Sequence, residues 1–188
     1  KINLDDDYIK FIRFAEHFIE KNSNGIVAMI TNNSFIDGIT HRQMRKHLLE
    51  TFDDIFILNL HGNSNIKEEV PGGGKDENVF EIKQGVSINI FVRSGKMKNG
   101  LGNVAYAEMY GEKEYKFDNL NRDDIETIKW RTVNYSEPYY FFVPKDFELD
   151  EMYHGYFSLD DLFILGGPGI KTERDNITIH FDNEGLLD

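Results

Sequence analysis

Three short apolar runs, separated by stretches long enough to hold a helix, constrain the fold of this chain most strongly. They are residues 26–30, 55–60 and 86–92. The first run is continuous, as expected for a strand that is buried on both faces of a sheet. Helix-length segments precede the first run and separate it from the second. This order of helix and strand is typical of an α/β protein with a doubly wound sheet.

Helical periodicity lies on both sides of the first apolar run. Apolar residues recur at three- and four-residue spacing over residues 7–21, which predicts an amphipathic helix. Asp5 or Asp6 is placed to cap its start. Thr40 begins a Thr-x-x-Gln capping box, which predicts a second helix over about residues 41–51.

The residue composition and the periodicity of the sequence change after the third apolar run. A Gly- and Lys-rich turn at residues 95–100 is followed by alternating residues at 103–110, which predict a strand. Residues 121–128 favour a short helix, and the remainder is aromatic and irregular. We therefore predict two parts: residues 1–96, with the α/β sheet, and residues 97–188, a smaller mixed α+β region rich in aromatic side chains.

Four blocks of sequence, taken in order, are similar to those of a known family. They are residues 25–35, 59–63, 76–92 and 169–175, with a weaker aromatic block at 139–146. In their order and separation they resemble the C-terminal half of an adenine-N6 DNA methyltransferase domain. The family is that of the large one-chain restriction-modification enzymes.

The resemblance implies a mixed seven-stranded sheet that binds S-adenosylmethionine and methylates adenine N6 in duplex DNA. This chain would supply the second half of that sheet (residues 1–96), then the connector and the start of the target-recognition region (residues 97–188). The family's glycine motif for the cofactor and its Asn-Pro-Pro-Tyr catalytic motif do not occur in these residues. We therefore expect a piece of a longer protein, with S-adenosylmethionine held by the missing N-terminal half of the domain. No cofactor site or catalytic residue is expected in this chain.

Phe80 and the loop after the first strand are the candidate site residues. The resemblance places Phe80 where an aromatic ring stacks on the extruded adenine, a contact that contributes about 1–3 kcal/mol per base. Asn32, Asn33 and Ser34 follow the first strand, and ligands of open α/β sheets bind beyond the carboxyl ends of the strands. The resemblance puts this loop at the wall of the base pocket. Two plainer interpretations stay open: Phe80 as an apolar plug, and the loop as an ordinary turn.

Lys171, Thr172 and Arg174 form a second candidate site. They follow a Gly-Pro-Gly turn and match the family's junction between the catalytic and target-recognition regions. We predict that they contact DNA. A surface turn with ion pairs is the alternative.

Two other functions stay open. Asp76, Glu81 and Lys83 loosely match the carboxylate-carboxylate-lysine pattern of Mg²⁺-dependent restriction endonucleases, provided that their side chains converge. The aromatic segment at 130–156 and the acidic composition instead fit a non-catalytic DNA-specificity or protein-interaction module. The histidines lack the spacing of a metal site, so none is predicted.

Charge and composition restrict the partners. A net charge of −12 opposes tight DNA binding by this chain alone, because phosphate contacts need clustered Lys and Arg. Duplex DNA is therefore expected as a partner of the parent protein. The chain has no cysteine and no apolar run of about 18 residues, so we expect a cytoplasmic protein without a membrane span.

The strand arrangement gives a sharper prediction. Strands 26–30 and 55–60 should be parallel, because a helix-length crossover joins them. The resemblance implies that strand 86–92 is antiparallel and lies beside 55–60. Since the preceding strands are expected elsewhere, an edge or face of this half-sheet should expose apolar groups and permit self-association.

Overall fold

The protein, described by a computed structural model over residues 6–96 and 100–162, divides into two compact units. The first is Lys1–Lys145 and the second is Asp146–Asp188. In the described part of the second unit the helices are α5 (Asp150–His154) and α6 (Leu159–Leu162).

The first unit contains both helices and strands. Its helices are α1 (Asp7–Asn22), α2 (Ser34–Asp37), α3 (Arg42–Thr51) and α4 (Lys113–Arg122). Its strands are β1 (Gly25–Asn32), β2 (Asp54–Asn59), β3 (Val86–Arg93), β4 (Asn103–Glu108) and β5 (Arg131–Thr132).

Both predicted helices of the N-terminal part are confirmed. The Asp6 side chain caps α1 by accepting a hydrogen bond from the Tyr8 backbone N–H at 2.9 Å. The predicted capping box of α3 is wrong. A 3₁₀ turn at Ile39–His41 precedes α3, so His41 rather than Thr40 occupies the N-cap, and no side chain caps the helix.

The strands form one mixed sheet in the order β1-β3-β2-β4-β5. β3 is antiparallel to both β1 and β2, so β1 and β2 run in the same direction. The predicted insertion of the third strand beside the second is thereby confirmed. β4 is parallel to β2, and β5 pairs antiparallel with β4.

Apolar side chains pack on both faces of this sheet. Alternate residues of a strand point to opposite faces, and neighbours Ile57 and Leu58 of β2 join different clusters. The cluster of Ile57 includes side chains of α1, α2 and α3. The cluster of Leu58 includes Val79, Val86 and Ala107, against which Leu120 of α4 and Trp130 pack.

The prediction that β1 is buried on both faces is wrong. Val27 is buried beneath the helices, whereas Ile26 and Ile30 are exposed on the opposite face. Among the described residues, β1 is hydrogen-bonded only to β3 and forms an edge of the sheet. Phe11 and Phe14 of α1 are exposed as well. The predicted exposure of apolar groups is confirmed, and self-association stays a prediction.

The predicted change of structure at residues 96/97 does not coincide with the division of the chain at Lys145. β4 lies after that point but pairs with β2, and Val133 and Phe142 are buried in the core beside the helices. The part of the aromatic segment that precedes Lys145 therefore packs on the sheet. The helix predicted at 121–128 is also misplaced, since α4 ends at Arg122. In the described ranges, no helix has the length and apolar character needed to cross a membrane.

Candidate functional site

A cleft of about 300 Å³ lies where β1 and β2 end. Its walls come from the loops after both strands, the residues before β3 and the connector beyond β5. They include Asn33, Ser34, Asn59 and Gly85. The carboxylates of Asp37 and Glu68 also line it, and none of the described lining residues is a lysine or an arginine. The cleft is acidic, and part of its lining is apolar, from Ile36, Ile66 and Val143.

Asn33 is anchored at the end of β1. Its backbone N–H donates to the Gly85 carbonyl at 2.9 Å, and its Nδ2 donates to Asn59 Oδ1 at 2.7 Å. Its Oδ1 is buried and has no hydrogen-bond partner in the described structure. A buried acceptor without a donor is uncommon in folded proteins and points to a role beyond the fold.

Gly85 is what allows the two strand ends to approach each other. A Cβ atom there would lie 3.0 Å from Asn33 Nδ2 and 3.2 Å from the His61 carbonyl oxygen. Either contact is tighter than an ordinary van der Waals distance, so a side chain at this position would push the Asn33 loop outward. The glycine therefore sets the width of the cleft.

The predicted pocket loop contains one structural residue. Asn32 is buried, its Nδ2 donates to Asp6 Oδ2 at 2.6 Å, and its Oδ1 accepts the Ser34 backbone N–H at 3.0 Å. Asn32 thus shapes the turn and ties it to the start of α1, and it does not line the cleft. Asn33 and Ser34 do line it.

Phe80 is exposed, with 45% of its surface accessible, so its interpretation as a core plug is wrong. Val79 fills the core in its place. The loop that carries Phe80 is fixed by Asn78, whose Nδ2 donates to the carbonyls of Gly62 at 3.1 Å and Gln84 at 2.7 Å. The Phe80 N–H donates back to Asn78 Oδ1 at 2.9 Å. Phe80 itself does not line the cleft, although Gln84 at the end of its loop does.

A buried ion pair supports the base of this loop. Asp76 Oδ1 and Lys116 Nζ lie 2.7 Å apart, and both side chains are fully buried. Asp76 also accepts the backbone N–H groups of Gly62 at 2.6 Å and Gly111 at 2.8 Å. Lys116 donates to the carbonyls of Leu60 and Glu77.

The contacts of Asp76 contradict the alternative that Asp76, Glu81 and Lys83 form a nuclease site. Both carboxylate oxygens of Asp76 are occupied inside the protein, while Glu81 and Lys83 are exposed. The three side chains therefore do not converge on a metal position. Within residues 6–96 and 100–162 no group of His, Asp and Glu could hold a metal ion.

His61, at the carboxyl end of β2, packs face to face with Tyr110 at a ring distance of 3.7 Å. Its Nδ1 lies 2.6 Å from Glu68 and its Nε2 lies 3.4 Å from Glu108. Burial and, to a smaller extent, the negative charge of Glu108 raise the pKa of Tyr110 to about 12. The phenol is therefore protonated at neutral pH. The cluster joins the cleft wall at Glu68 to the end of β4.

Arg45 joins the cleft to the aromatic connector. The side chain is completely buried and donates to the backbone carbonyls of Phe35, Gly38, Tyr139 and Tyr140. Burial lowers its pKa to about 10, an effect that the nearby Asp37 partly opposes, and the guanidinium remains charged at neutral pH.

Sequence reasoning missed His61, Asn59 and Arg45. Asn59 is the last residue of β2 and His61 lies just beyond it. Polar residues at the end of a buried apolar strand are the same signal that pointed to the loop after β1, and it should have been applied to both strands. Arg45 gives no such signal, because a basic residue on a predicted helix is ordinarily exposed. Lys171, Thr172 and Arg174 lie outside the described residues.

Comparison with solved structures relates this arrangement to known proteins. Over 98% of its length the chain matches the ATP-dependent Type ISP restriction-modification enzyme LlaBIII bound to DNA, with 29% identity and a TM-score of 0.67. The chain is therefore similar to a segment of a restriction-modification enzyme. That segment spans 12% of LlaBIII.

Two further structures agree with this likeness. The DrdV–DNA complex matches 69% of the chain with 29% identity and a TM-score of 0.58, and the chain spans 12% of it. A nuclease-deletion mutant of the Type ISP enzyme LlaGI, bound to a DNA substrate mimic, shares the fold with 23% identity and a TM-score of 0.60; 71% of the chain matches 11% of LlaGI. No protein-family model and no curated protein matches the chain.

Proposed function

We propose that this chain is the C-terminal half of an adenine-N6 DNA methyltransferase domain within a restriction-modification enzyme. The observation that carries the proposal is the insertion of antiparallel β3 between β1 and β2. This arrangement is the one that the resemblance implies for the end of the methyltransferase sheet. It also gathers the carboxyl ends of two strands and the loop before the third around one cleft.

The composition of the cleft supports a role in holding a base rather than a phosphate. Carboxylates of Asp37 and Glu68 would repel a phosphate group, whereas amides such as Asn33 and Asn63 suit the polar edge of a base. An enzyme that modifies a base in duplex DNA must first extrude it into such a pocket. We assign the pocket of the extruded adenine to this cleft.

Phe80, which does not line the cleft, is proposed to stack on the extruded base from the loop that ends at the lining residue Gln84. It is an exposed aromatic ring on a loop fixed by Asn78, so its position is set before DNA binds. Because its backbone is already held in place, Phe80 offers a stacking surface with a smaller ordering penalty on binding than a residue of an unanchored loop would have.

The other partners follow from the same proposal. S-adenosylmethionine is assigned to the preceding half of the domain, whose glycine motif this chain lacks. That half would dock against the exposed edge of β1 and cover Ile26 and Ile30. Duplex DNA is the partner of the complete enzyme, with Lys171, Thr172 and Arg174 as proposed contacts.

The direct test is methylation by the full-length protein that carries this chain. Transfer of labelled methyl groups from S-adenosylmethionine to duplex DNA is expected, and mapping of the modified bases should place the methyl group on adenine N6. Modification of another base, or no transfer to any duplex, would contradict the proposal.

The isolated chain is expected to bind no S-adenosylmethionine and to transfer no methyl group. The donor must be held beside the target nitrogen by groups of the preceding half, and this positioning supplies much of the rate. Isothermal calorimetry of the isolated chain is the measurement, with the full-length protein as the positive control. Tight 1:1 binding by the isolated chain would show that the cofactor site is assigned wrongly.

In the full-length protein, Phe80→Ala is expected to lower the methylation rate by about 5- to 160-fold, the equivalent of about 1–3 kcal/mol. DNA affinity should change less, because phosphate contacts dominate it. Single-turnover methylation and equilibrium DNA binding are measured in parallel. Ile82→Ala is the matched control, since Ile82 is an equally exposed apolar residue of the same loop. A methylation rate within about twofold of the wild type would exclude the stacking role.

A further inference from the structure

One backbone donor fixes the orientation of two amides at the cleft. The backbone N–H of His61 can only donate, so the Asn59 atom 2.9 Å from it must be the carbonyl oxygen Oδ1. Asn33 approaches the same oxygen at 2.7 Å, so the contacting atom of Asn33 must be its donor, Nδ2. Asn33 Oδ1 is therefore left as a hydrogen-bond acceptor.

The same chain of hydrogen bonds continues away from the cleft. Asn59 Nδ2 donates to the hydroxyl of Tyr106 at 3.0 Å, and that hydroxyl donates to Glu108 Oε2 at 3.0 Å. Burial raises the pKa of Tyr106, so its hydroxyl keeps the proton that it donates. Each side chain in this series of hydrogen bonds therefore has only one possible arrangement of donor and acceptor atoms. The series ends at Asn33.

Asn33 Oδ1 has no donor of its own in the described structure, although it is buried. The residue lines the cleft together with the carboxylates of Asp37 and Glu68. Ser34, Asn63 and Gln84 also line the cleft and can either donate or accept. The Asn33 oxygen and the ionised carboxylates of Asp37 and Glu68 can only accept, so an occupant that presents an N–H group to them fits and an anionic one does not. Among the parts of a nucleotide, the exocyclic amine of a base has that character.

We propose that Asn33 Oδ1 accepts a hydrogen bond from the exocyclic amine of the extruded base, and that Asn59 and Tyr106 hold this oxygen in position. This inference rests on the proposed function and deepens it. Asn33 becomes a residue that selects an amine-bearing base, and Asn59 and Tyr106 become positioning residues that act through it.

The test compares two duplexes that differ in a single amine. One carries adenine at the methylated position, and the other carries purine, which has hydrogen in place of the 6-amino group. Binding to the full-length protein is measured with S-adenosylhomocysteine present, for the wild type and for Asn33→Ala. The unpairing energy of each duplex is the same for both proteins, so it cancels from the comparison.

Asn33→Ala is expected to lose about fivefold in affinity for the adenine duplex and to bind the purine duplex unchanged, as one neutral hydrogen bond predicts. Tyr106→Phe, which keeps the buried ring, should show a smaller loss with the same selectivity. Asn103→Ala is the control, because Asn103 is an exposed amide at the opposite end of β4. It should bind both duplexes like the wild type.

If Asn33→Ala and Tyr106→Phe lose the same affinity for the adenine duplex as for the purine duplex, Asn33 has only a structural role and the inference is wrong. If the wild type methylates adenine but the variants keep its selectivity, this inference fails and the proposed function stands. If the wild type transfers no methyl group to adenine, the proposed function fails and the inference falls with it.

Discussion

Lys116→Met is expected to lower the free energy of unfolding of this chain by about 3–5 kcal/mol, the usual effect of removing one partner of a buried ion pair. The substitution keeps the volume of the side chain but leaves the Asp76 carboxylate buried without its cation. It also leaves the carbonyls of Leu60 and Glu77 without their donor. Equilibrium urea denaturation is the measurement.

The chain offers a matched control for this substitution. Lys75 forms an ion pair with Glu77 in the same loop, but its side chain is exposed. Lys75→Met should therefore leave the free energy of unfolding nearly unchanged, because water screens an exposed pair. The double variant Asp76→Asn, Lys116→Met should lose less than the sum of its single variants, since no unpaired charge is then buried. Additive losses would show that the two charges are not coupled.

The ion pair also bears on the proposed site. Asp76 accepts the N–H groups of Gly62 and Gly111, so it connects the loop after β2 to the segment after β4. Phe80 lies only a few residues beyond it. Faster amide hydrogen exchange over residues 76–85 in the Lys116→Met variant is expected if this pair holds the Phe80 loop in place.

Strong local signals made the first part of the fold predictable. α1 has a regular apolar stripe and an aspartate at its start, and most residues of β2 and β3 are apolar. The resemblance supplied the direction of β3, which a long connection alone leaves undetermined. The exposed face of β1 contradicted the expectation from its sequence, because composition reports only that a residue is apolar and not which element covers it.

Long-range contacts explain what the sequence could not predict. β4 joins the sheet by pairing in parallel with β2, from which β3 and the connections on either side of it separate β4 in sequence. At the site, the loop after β1 was identified because polar residues follow an apolar strand. Asn32 is held by Asp6, a residue that lies before α1, whereas Asn33 is held by Asn59 at the end of β2. No pattern local to the loop distinguishes the two amides.

Arg45→Met is the second substitution with a large expected effect, a loss of about 3–5 kcal/mol in the free energy of unfolding. The guanidinium makes all five of its hydrogen bonds to backbone carbonyls of two separate segments. Methionine would fill the space but leave these buried acceptors unpaired, and each unpaired acceptor destabilises the folded state by about 1–3 kcal/mol. Partial relaxation and water entry keep the total below their sum.

The Arg45 variant is also expected to loosen one wall of the cleft. The segments that Arg45 joins are α2 with Gly38, which lines the cleft, and the connector at Tyr139 and Tyr140, shortly before the lining residue Val143. Arg42→Met is the matched control, since Arg42 lies on the same helix and is exposed. Limited proteolysis should cut the connector of the Arg45 variant faster than that of the control. If both variants unfold at the same urea concentration, the connector is held by its aromatic packing alone, and the wall of the cleft does not depend on Arg45.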